Sequence, residues 1–370
     1  MVNGMKKIIL TIMLFAMSSA ANAETGTVAL PFLKLAGGAR STALAGAYSA
    51  IGDNAESVFY NPASTVYKDR SEVSFSHTMW LEDMSIEQMA YVQPISPFVS
   101  FIAGVSALVI GSMDNTDEDG NSSGSFNSMD IAAGAGFSYI MTKRLYVAGK
   151  INFYSQTMDA ESAGTLGADF GLVLRGDYLR YAVSALNLGN QMKLGTQSFP
   201  LPLIIRGGIS REIIKGLKTG LELINYNDNG TRFAAGAEYS FSLRPEDDED
   251  QQKLSFRAGY ASGRDKNAGS GLTGGIGFLT SDLSVDYAFM PYGDLGNAHR
   301  FSISLYFGEK RENTRETYEF HYRSREENRL QTENKLFKKG KERVADVPLT
   351  PDLEEYKPIK EAPKIRDFTW

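Results

Sequence analysis

The chain has 370 residues and a formal net charge of −6, and it contains no cysteine. The lack of cysteine excludes disulfides, thiolate metal ligands and a lipidated N-terminal cysteine, and the net negative charge argues against a nucleic-acid partner. Beyond residue 23 no uninterrupted apolar run reaches the ~18 residues that a membrane helix needs.

The first residues have the pattern of an export signal. Lys6 and Lys7 precede an apolar run over residues 8–17, and Ala21-Asn22-Ala23 matches the small–x–small pattern of a cleavage site. The apolar run is too short for a membrane helix. We therefore predict a cleaved signal peptide over residues 1–23 and a mature chain outside the cytoplasm.

The next segment, residues 24–70, lacks the alternation of a strand and is rich in glycine and alanine. Small residues permit tight turns and close approach of backbones. Asn61-Pro62 is a turn signal near the end of the segment. We predict that this segment is a separate unit before the first strand.

From residue 71 to residue 307 apolar and polar side chains alternate in segments separated by turn residues. In the last segment, 298–307, apolar side chains occupy every second position from Phe301 to Phe307. Successive strand side chains point to opposite faces, and about nine residues cross a bilayer as a tilted strand. We predict an all-β protein: a transmembrane outer-membrane antiparallel β-barrel of about 14 strands, with both chain termini periplasmic. The predicted strands are 71–79, 84–93, 97–110, 128–140, 143–155, 165–175, 177–187, 200–211, 216–225, 230–242, 252–261, 270–280, 282–290 and 298–307.

Short and long connections alternate along these strands, as they do in outer-membrane barrels. The longest predicted outer loops are 111–127 and 188–199, whereas the acidic stretch 245–250 is a long loop on the side of the short turns. Charges of both signs fall on the polar, inward face, where we expect them to form paired ladders around water or a plug. The inward charges are Lys150, Asp169, Arg175, Arg206, Lys218, Glu222, Glu238, Arg257, Asp286 and Arg300.

Two stretches carry recognisable motifs: Gly38-Ala39-Arg40, Asp53-Asn54-Ala55 and Tyr60-Asn61-Pro62-Ala63 in the first, and Leu295-Gly296-Asn297 followed by His299-Arg300 in the second. With these motifs the chain resembles the PorV/PorQ family, which is related to FadL-type outer-membrane barrels. The first lies in residues 24–70 and the second, 290–300, precedes the final strand, so the resemblance covers residues 30–307. In related barrels the first stretch folds inward as a small helical plug. The resemblance assigns plug residues at Arg40, Gly46, Asp53, Asn54, Asn61 and Pro62, and a barrel-closing motif at Gly293, Asp294, Leu295, Gly296, Asn297, His299 and Arg300.

The chain departs from that family after Phe307, because residues 308–370 continue as a charged tail that contains prolines. Such a composition favours an extended, largely disordered periplasmic segment. We expect either a tether to a periplasmic partner or a passive tail.

No catalytic or metal-binding pattern is present. The three histidines, His77, His299 and His321, show no HExxH spacing, and the acidic run 114–119 misses the register of an EF-hand. Asp169 and Glu222 could form a carboxylate pair, but the sequence does not place them together. We predict a protein that is not an enzyme and needs no cofactor or metal.

Three functions remain open for a monomeric barrel in outer-membrane lipid. The PorV/PorQ resemblance implies a partner of type IX secretion that receives the C-terminal domains of secreted cargo. The relation to FadL implies a transporter of hydrophobic small molecules through a lateral opening or a displaced plug, and a kink of the third strand at Gly104 would favour a lateral gate. A structural barrel with a periplasmic tether is the third.

Overall fold

The computed structural model describes residues 26–35, 37–116, 122–159, 161–244, 252–264 and 266–309. The predictions for the signal peptide, for the acidic stretch 245–250 and for the tail beyond residue 309 lie outside these ranges. No helix among the described residues is long and apolar enough to cross a membrane.

Fourteen antiparallel strands form a closed barrel, which confirms the predicted fold class and strand number. The first and last strands close it, because Ser71 pairs with Phe307 and Met79 pairs with His299. The barrel strands are β1 (Ser71–Met79), β2 (Ser85–Pro94), β3 (Val99–Thr116), β4 (Ser122–Ile140), β5 (Leu145–Met158), β6 (Glu161–Arg175), β7 (Arg180–Gly189), β10 (Ile204–Ile214), β11 (Leu217–Tyr226), β12 (Gly230–Ser242), β13 (Lys253–Ala261), β14 (Leu272–Leu279), β15 (Leu283–Pro291) and β16 (Asn297–Phe307).

The outer and inner faces follow the alternation of the sequence. On β16, Phe301, Ile303 and Leu305 are exposed on the outer face, whereas Arg300 and Ser302 are buried toward the lumen. An apolar exterior suits lipid, and a polar interior needs polar partners or water. The buried polar side chains of the inner face therefore need partners inside the lumen.

Two of the predicted outer loops are wrong. Most of 111–127 continues the β3–β4 hairpin, since β3 ends at Thr116 and β4 begins at Ser122. Residues 188–199 contain the end of β7 and a second, two-stranded sheet of β8 (Met192–Leu194) and β9 (Gln197–Phe199). The prediction stopped each strand at bilayer length, but pairing between neighbouring strands can continue beyond the membrane.

The two ends of the barrel differ in their connections. One end, called here the short-turn end, carries the turns 141–144, 176–179, 215–216 and 280–282. The other end, the long-loop end, carries the connections 190–203, 262–271 and 292–296. Ser71 and Phe307 both lie at the short-turn end.

The residues before β1, called here the lumenal segment (residues 26–70), run through the inside of the barrel. Their short elements are the 3₁₀ helix η1 (Pro31–Lys34), the helix α1 (Ala39–Ala43), and the 3₁₀ helices η2 (Ala55–Phe59) and η3 (Pro62–Tyr67). At the long-loop end the Ala29 amide donates to the Pro200 carbonyl at 2.9 Å. At the short-turn end Arg70 pairs with Asp282 at 2.8 Å. The segment thus crosses the lumen from one end to the other.

Candidate functional site: the occluded lumen

The middle of the lumenal segment is fixed to the wall by a network of ion pairs around Arg40. The Arg40 guanidinium contacts Glu238 of β12 and Asp53 of the segment at 2.6 and 2.5 Å. Lys218 of β11 reaches Asp53 at 2.8 Å, and Arg257 of β13 joins Glu238 at 2.7 Å. Burial alone would raise the pKa of Asp53, but Arg40 and Lys218 hold it well below its ordinary range. The network therefore stays ionised and locks the segment to β11–β13.

A second ion pair supports the neighbouring turn. Arg206 of β10 pairs with Glu222 of β11 and donates to the Gly46 carbonyl at 3.1 Å. Glu222 in turn accepts from the Ser49 amide at 2.8 Å. Gly46 has φ +80°, a left-handed conformation that suits glycine.

Asn54 and Asn61 shape the segment in different ways. Asn54 accepts a hydrogen bond from the Tyr48 hydroxyl at 2.8 Å, within the segment itself. The Asn61 amide reaches the wall, where it donates to the carbonyls of Leu172 in β6 and Val183 in β7 at 3.1 and 3.3 Å. Asn61 also caps η3, which begins at Pro62, by accepting from the Ala63 amide at 3.0 Å.

At the short-turn end the lumenal segment packs against the wall of the barrel. Tyr67 packs edge-on against Tyr146 of β5 at 5.0 Å between ring centroids, and the Arg180 guanidinium lies 4.3 Å from the Tyr67 ring centroid. Arg180 also donates to the carbonyls of Ala50 and Gly52 at 3.3 and 3.1 Å. Lys68 pairs with the buried Glu72 at 2.6 Å.

Glu56 is a buried carboxylate at the centre of the lumen without an ion pair of its own. Its Oε1 accepts from the Ser74 hydroxyl at 3.4 Å, and its Oε2 has no partner among the described residues. Burial and the nearby Asp286 carboxylate raise the pKa of Glu56 to about 7. Gly38 packs directly against the carboxylate, where a Cβ would lie 2.0 Å from it.

The closing motif lies at the long-loop end, and one of its residues reaches the lumen. Gly293, Asp294 and Leu295 form the 3₁₀ helix η4, which is exposed and is followed by Gly296 and Asn297. The His299 Nδ1 lies 2.9 Å from the Tyr287 hydroxyl on the outer face. Arg300 is buried and donates to Thr42 of the lumenal segment at 2.8 Å. Of this motif, only Arg300 forms a hydrogen bond with the lumenal segment among the described contacts.

A cavity of about 50 Å³ lies between the lumenal segment and the wall of β2–β7. The segment contributes an apolar side, whereas the wall contributes mainly polar groups. Lys150 and Asp169, directly opposed on β5 and β6, pair at 2.9 Å beside it. The remaining lining residues are Phe32, Leu33, Leu35, Phe59, Gln88, Gly104, Ser106, Ala132, Asn152, Tyr154, Leu186 and Asn187.

An apolar cluster closes the cavity at the long-loop end. Residues 29–35, called here the mouth segment, pack with Ile86, Leu108, Met192 and Leu201. Lys34 of this segment pairs with Asp228, in the turn between β11 and β12, at 2.5 Å. Met192 lies within the predicted outer loop 188–199 but is fully buried in this cluster.

The strand pairing beside the cavity is irregular between β6 and β7. The register shifts between Ala168 and Phe170. There the Asn187 amide donates to the Asp169 carboxylate at 2.7 Å, and Asn187 has φ +61°. β3, by contrast, pairs through Gly104 with Ala90 and Gly134 without a break. The lateral gate considered at Gly104 is thus not supported, and the register shift between β6 and β7 lies at Asp169.

The inward charges were largely predicted from the alternation. Nine of the ten face the lumen with polar partners, and only Arg175 is exposed, at the end of its strand. Asp169 and Glu222 do not form a carboxylate pair, because each has its own cation. No group of acidic and histidine side chains in the described ranges could hold a metal ion. The pairs of Lys34 and Arg40 were not predicted, since no local pattern relates residues about 200 positions apart.

Comparison with known proteins agrees with this geometry. The model of an uncharacterised protein family, UPF0164, matches residues 12–142, which is less than half of the chain. No curated protein matches the chain. Among solved structures, the chain is similar to the CymD monoaromatic hydrocarbon channel, with 12% identity, 75% of this chain and 99% of that chain covered, and a TM-score of 0.50.

Two further structures are similar over comparable lengths. The toluene transporter TodX of P. putida has 13% identity and a TM-score of 0.48, with 74% of this chain and 100% of that chain covered. A FadL homologue of Pseudomonas aeruginosa has 10% identity and a TM-score of 0.47, with 73% and 98% covered. The chain thus shares its fold, a closed antiparallel β-barrel, with the CymD channel. The PorV/PorQ resemblance stays a prediction.

Proposed function

We propose that the protein is an outer-membrane transporter of hydrophobic small molecules. The observation that carries this proposal is the apolar cluster at the long-loop end, which leads to a cavity between the lumenal segment and β2–β7. The barrel most similar among those reported above is described as a monoaromatic hydrocarbon channel. An apolar entrance above a polar, plugged lumen admits apolar molecules but offers no open path to ions.

Transport requires movement, because the cavity is small. Its volume is about 50 Å³, whereas a cavity of about 150 Å³ accommodates benzene. The short-turn end is held by the edge-on rings of Tyr67 and Tyr146 and by the Lys68–Glu72 ion pair. The mouth segment is held by apolar contacts and one partly exposed lysine, Lys34. We infer that a ligand displaces the mouth segment and leaves the rest of the lumenal segment in place.

The irregular pairing at Asp169 suggests the exit route. Where the β6–β7 ladder is interrupted, fewer backbone hydrogen bonds separate the cavity from the lipid. An apolar molecule can leave sideways there without crossing the short-turn end.

Engineered cysteines test this route cleanly, because the chain has none of its own. Ala168 and Leu188 are opposed across the break, and Leu172 and Val183 are opposed in the regular ladder. In liposomes, a disulfide between Ala168→Cys and Leu188→Cys should strongly reduce uptake of an apolar dye, and reduction should restore it. The Leu172→Cys/Val183→Cys disulfide is the control and should leave uptake unchanged. Equal uptake with both disulfides closed would exclude lateral exit.

The secretion function implied by the PorV/PorQ resemblance ranks second, because neither the lumen nor the reported relatives favour it. It remains testable by pull-down of the full chain from mild detergent with mass spectrometry of proteins and lipids. Co-purified proteins that share a C-terminal domain would support secretion, and an apolar ligand without a protein partner would support transport.

A further inference from the structure

Asp130 is a buried carboxylate on the inner face of β4 that has no ionic partner among the described residues. Only 4% of the residue is exposed, and Oδ1 has no hydrogen-bond partner among the described residues. Oδ2 accepts only a long hydrogen bond, 3.3 Å, from the Gln156 amide. Burying a charged oxygen without a partner is costly, so such a group calls for an explanation.

The other buried carboxylates are satisfied in a different way. Six of the eight buried acidic residues in the described ranges pair with lysine or arginine. Glu56, the seventh, is covered tightly by Gly38, which leaves no room beside it. Asp130 alone combines the lack of an ion pair with a position two residues along β4 from a residue that lines the cavity.

The surroundings of Asp130 are apolar on the side of the mouth. On the inner wall Asp130 pairs with Leu108 of β3, and Leu108 pairs with Ile86 of β2. Both belong to the cluster that packs against the mouth segment. Ala132, two residues along β4 and on the same face, lines the cavity. Asp130 therefore lies on the inner wall beside the apolar cluster, two residues along β4 from a residue that lines the cavity.

The two lysines of the cavity and the mouth segment, Lys150 and Lys34, do not pair with Asp130. Lys150, the cation that lines the cavity, lies six residues beyond Gln156 along β5, or about 20 Å away, and it is already paired with Asp169. Lys34 is paired with Asp228. The negative charge of Asp130 is thus compensated by neither lysine.

We propose that Asp130 binds the donor end of the transported molecule, and that the ligand is an apolar molecule that ends in an ammonium group. The apolar body would replace the mouth segment against Ile86 and Leu108, while the ammonium would satisfy Oδ1. A hydroxyl end would satisfy the same oxygen less strongly, and a carboxylate end would be repelled. This inference rests on the proposed transport function and specifies its substrate class.

The test uses four probes that share a phenyl body and differ at one end: 2-phenylethylamine, 2-phenylethanol, propylbenzene and 3-phenylpropanoate. Binding to the full chain in detergent is measured by calorimetry at pH 7. We expect the amine to bind about tenfold or more tightly than propylbenzene, because a hydrogen bond to a charged group contributes about 1.5–3 kcal/mol. The carboxylate should bind most weakly.

The variant Asp130→Asn keeps the shape and removes the charge. It should lower the affinity for the amine about tenfold or more and leave that for propylbenzene unchanged. The matched control is Asp177→Asn, an exposed aspartate at the short-turn end that pairs with Arg144 at 2.6 Å, and it should alter neither affinity. Without ligand, Asp130→Asn should also raise the melting temperature, since it relieves an unpaired buried charge.

The outcomes separate this inference from the transport function. Equal binding of amine and propylbenzene, or an unchanged amine affinity in Asp130→Asn, would overturn the role of Asp130 and leave transport standing. Preference for 3-phenylpropanoate would overturn it as well. Failure of all four probes to bind the wild-type protein would overturn both proposals.

Discussion

Arg40 and Glu238 form a two-point ion pair across the boundary between the lumenal segment and the barrel wall. The Arg40 Nε and Nη2 donate to the two carboxylate oxygens of Glu238 at 2.6 and 2.7 Å. The ion pair therefore fixes the orientation of the lumenal segment against β12 in addition to holding it there. Arginine can do this because its planar guanidinium makes two parallel hydrogen bonds to one carboxylate.

Arg40→Met should destabilise the folded barrel by about 3 kcal/mol, because it leaves Glu238 and Asp53 with one cation fewer inside the lumen. Arg40→Lys should recover part of this loss. The measurement is denaturant unfolding in detergent, followed by the heat-dependent shift of the folded band on a gel. Arg144→Met, which breaks the exposed pair with Asp177, is the control and should cost no more than about 0.5 kcal/mol. Equal effects of the two variants would refute the locking role of Arg40.

Asn61→Ala should cost about 1–3 kcal/mol, because the carbonyls of Leu172 and Val183 lose a buried donor. Asn61→Asp should lower the stability further, since a carboxylate cannot donate a hydrogen bond and would repel the two carbonyl oxygens that it faces. Asn190, exposed beyond β7, supplies the control variant Asn190→Ala. Refolding yield into detergent micelles measures the effect. If Asn61→Asp folds as well as the wild type, the bridge between β6 and β7 has no structural role.

Glu56 should make stability depend on pH. Its folded pKa of about 7 exceeds that of an unfolded glutamate, so the folded state binds the additional proton. Stability should therefore fall as the pH rises from about 4.5 to 7, by at most about 3 kcal/mol, and stay lower above that. Melting temperatures in detergent between pH 4.5 and 8.5 measure the slope.

Glu56→Gln should remove most of this slope and stabilise the protein at pH 8. Glu212→Gln, on an exposed residue at the end of β10, is the control and should retain the slope. An unchanged slope in Glu56→Gln would assign the pH dependence to another group.

Lys34→Ala should accelerate uptake of apolar probes, because the mouth segment loses its ion pair with Asp228. A loss of about 1 kcal/mol corresponds to roughly fivefold faster uptake if displacement of the segment limits the rate. Dye uptake into proteoliposomes measures it. Lys193→Ala, exposed on β8, is the control. Uptake that stays the same in Lys34→Ala would show that the mouth segment does not limit transport.

The barrel could be predicted because lipid imposes a strict alternation on the strands. On β16 the polar residues Arg300 and Ser302 were predicted to face inward, and both are buried. The alternating apolar residues must then face outward, and Phe301, Ile303 and Leu305 are indeed exposed. The extension of β3 and β4 was missed for the same reason, because strand pairing outside the bilayer no longer requires apolar side chains on one face.

The site could be predicted only in part. The alternation showed that Lys150, Asp169, Glu238 and Arg257 point inward, but pairing across the lumen depends on tertiary distances. Asp130 illustrates the limit, since its position on β4 indicates the inner face and nothing local indicates that Oδ1 lacks a partner. The path of the lumenal segment was beyond prediction as well, because the bond from Ala29 to Pro200 joins distant parts of the chain.

The lumenal segment joins the strands covalently at one place, residues 68–70, at the short-turn end. Its only covalent link to the strands is therefore at that end, and the mouth segment at the opposite end can be displaced while residues 68–70 stay in place. β1 follows residues 68–70 directly and pairs with β16 to close the barrel. The residues that end the lumenal segment therefore also lead into the strand that completes the barrel, so a change in residues 68–70 would act on the segment and on the closing strand pair together.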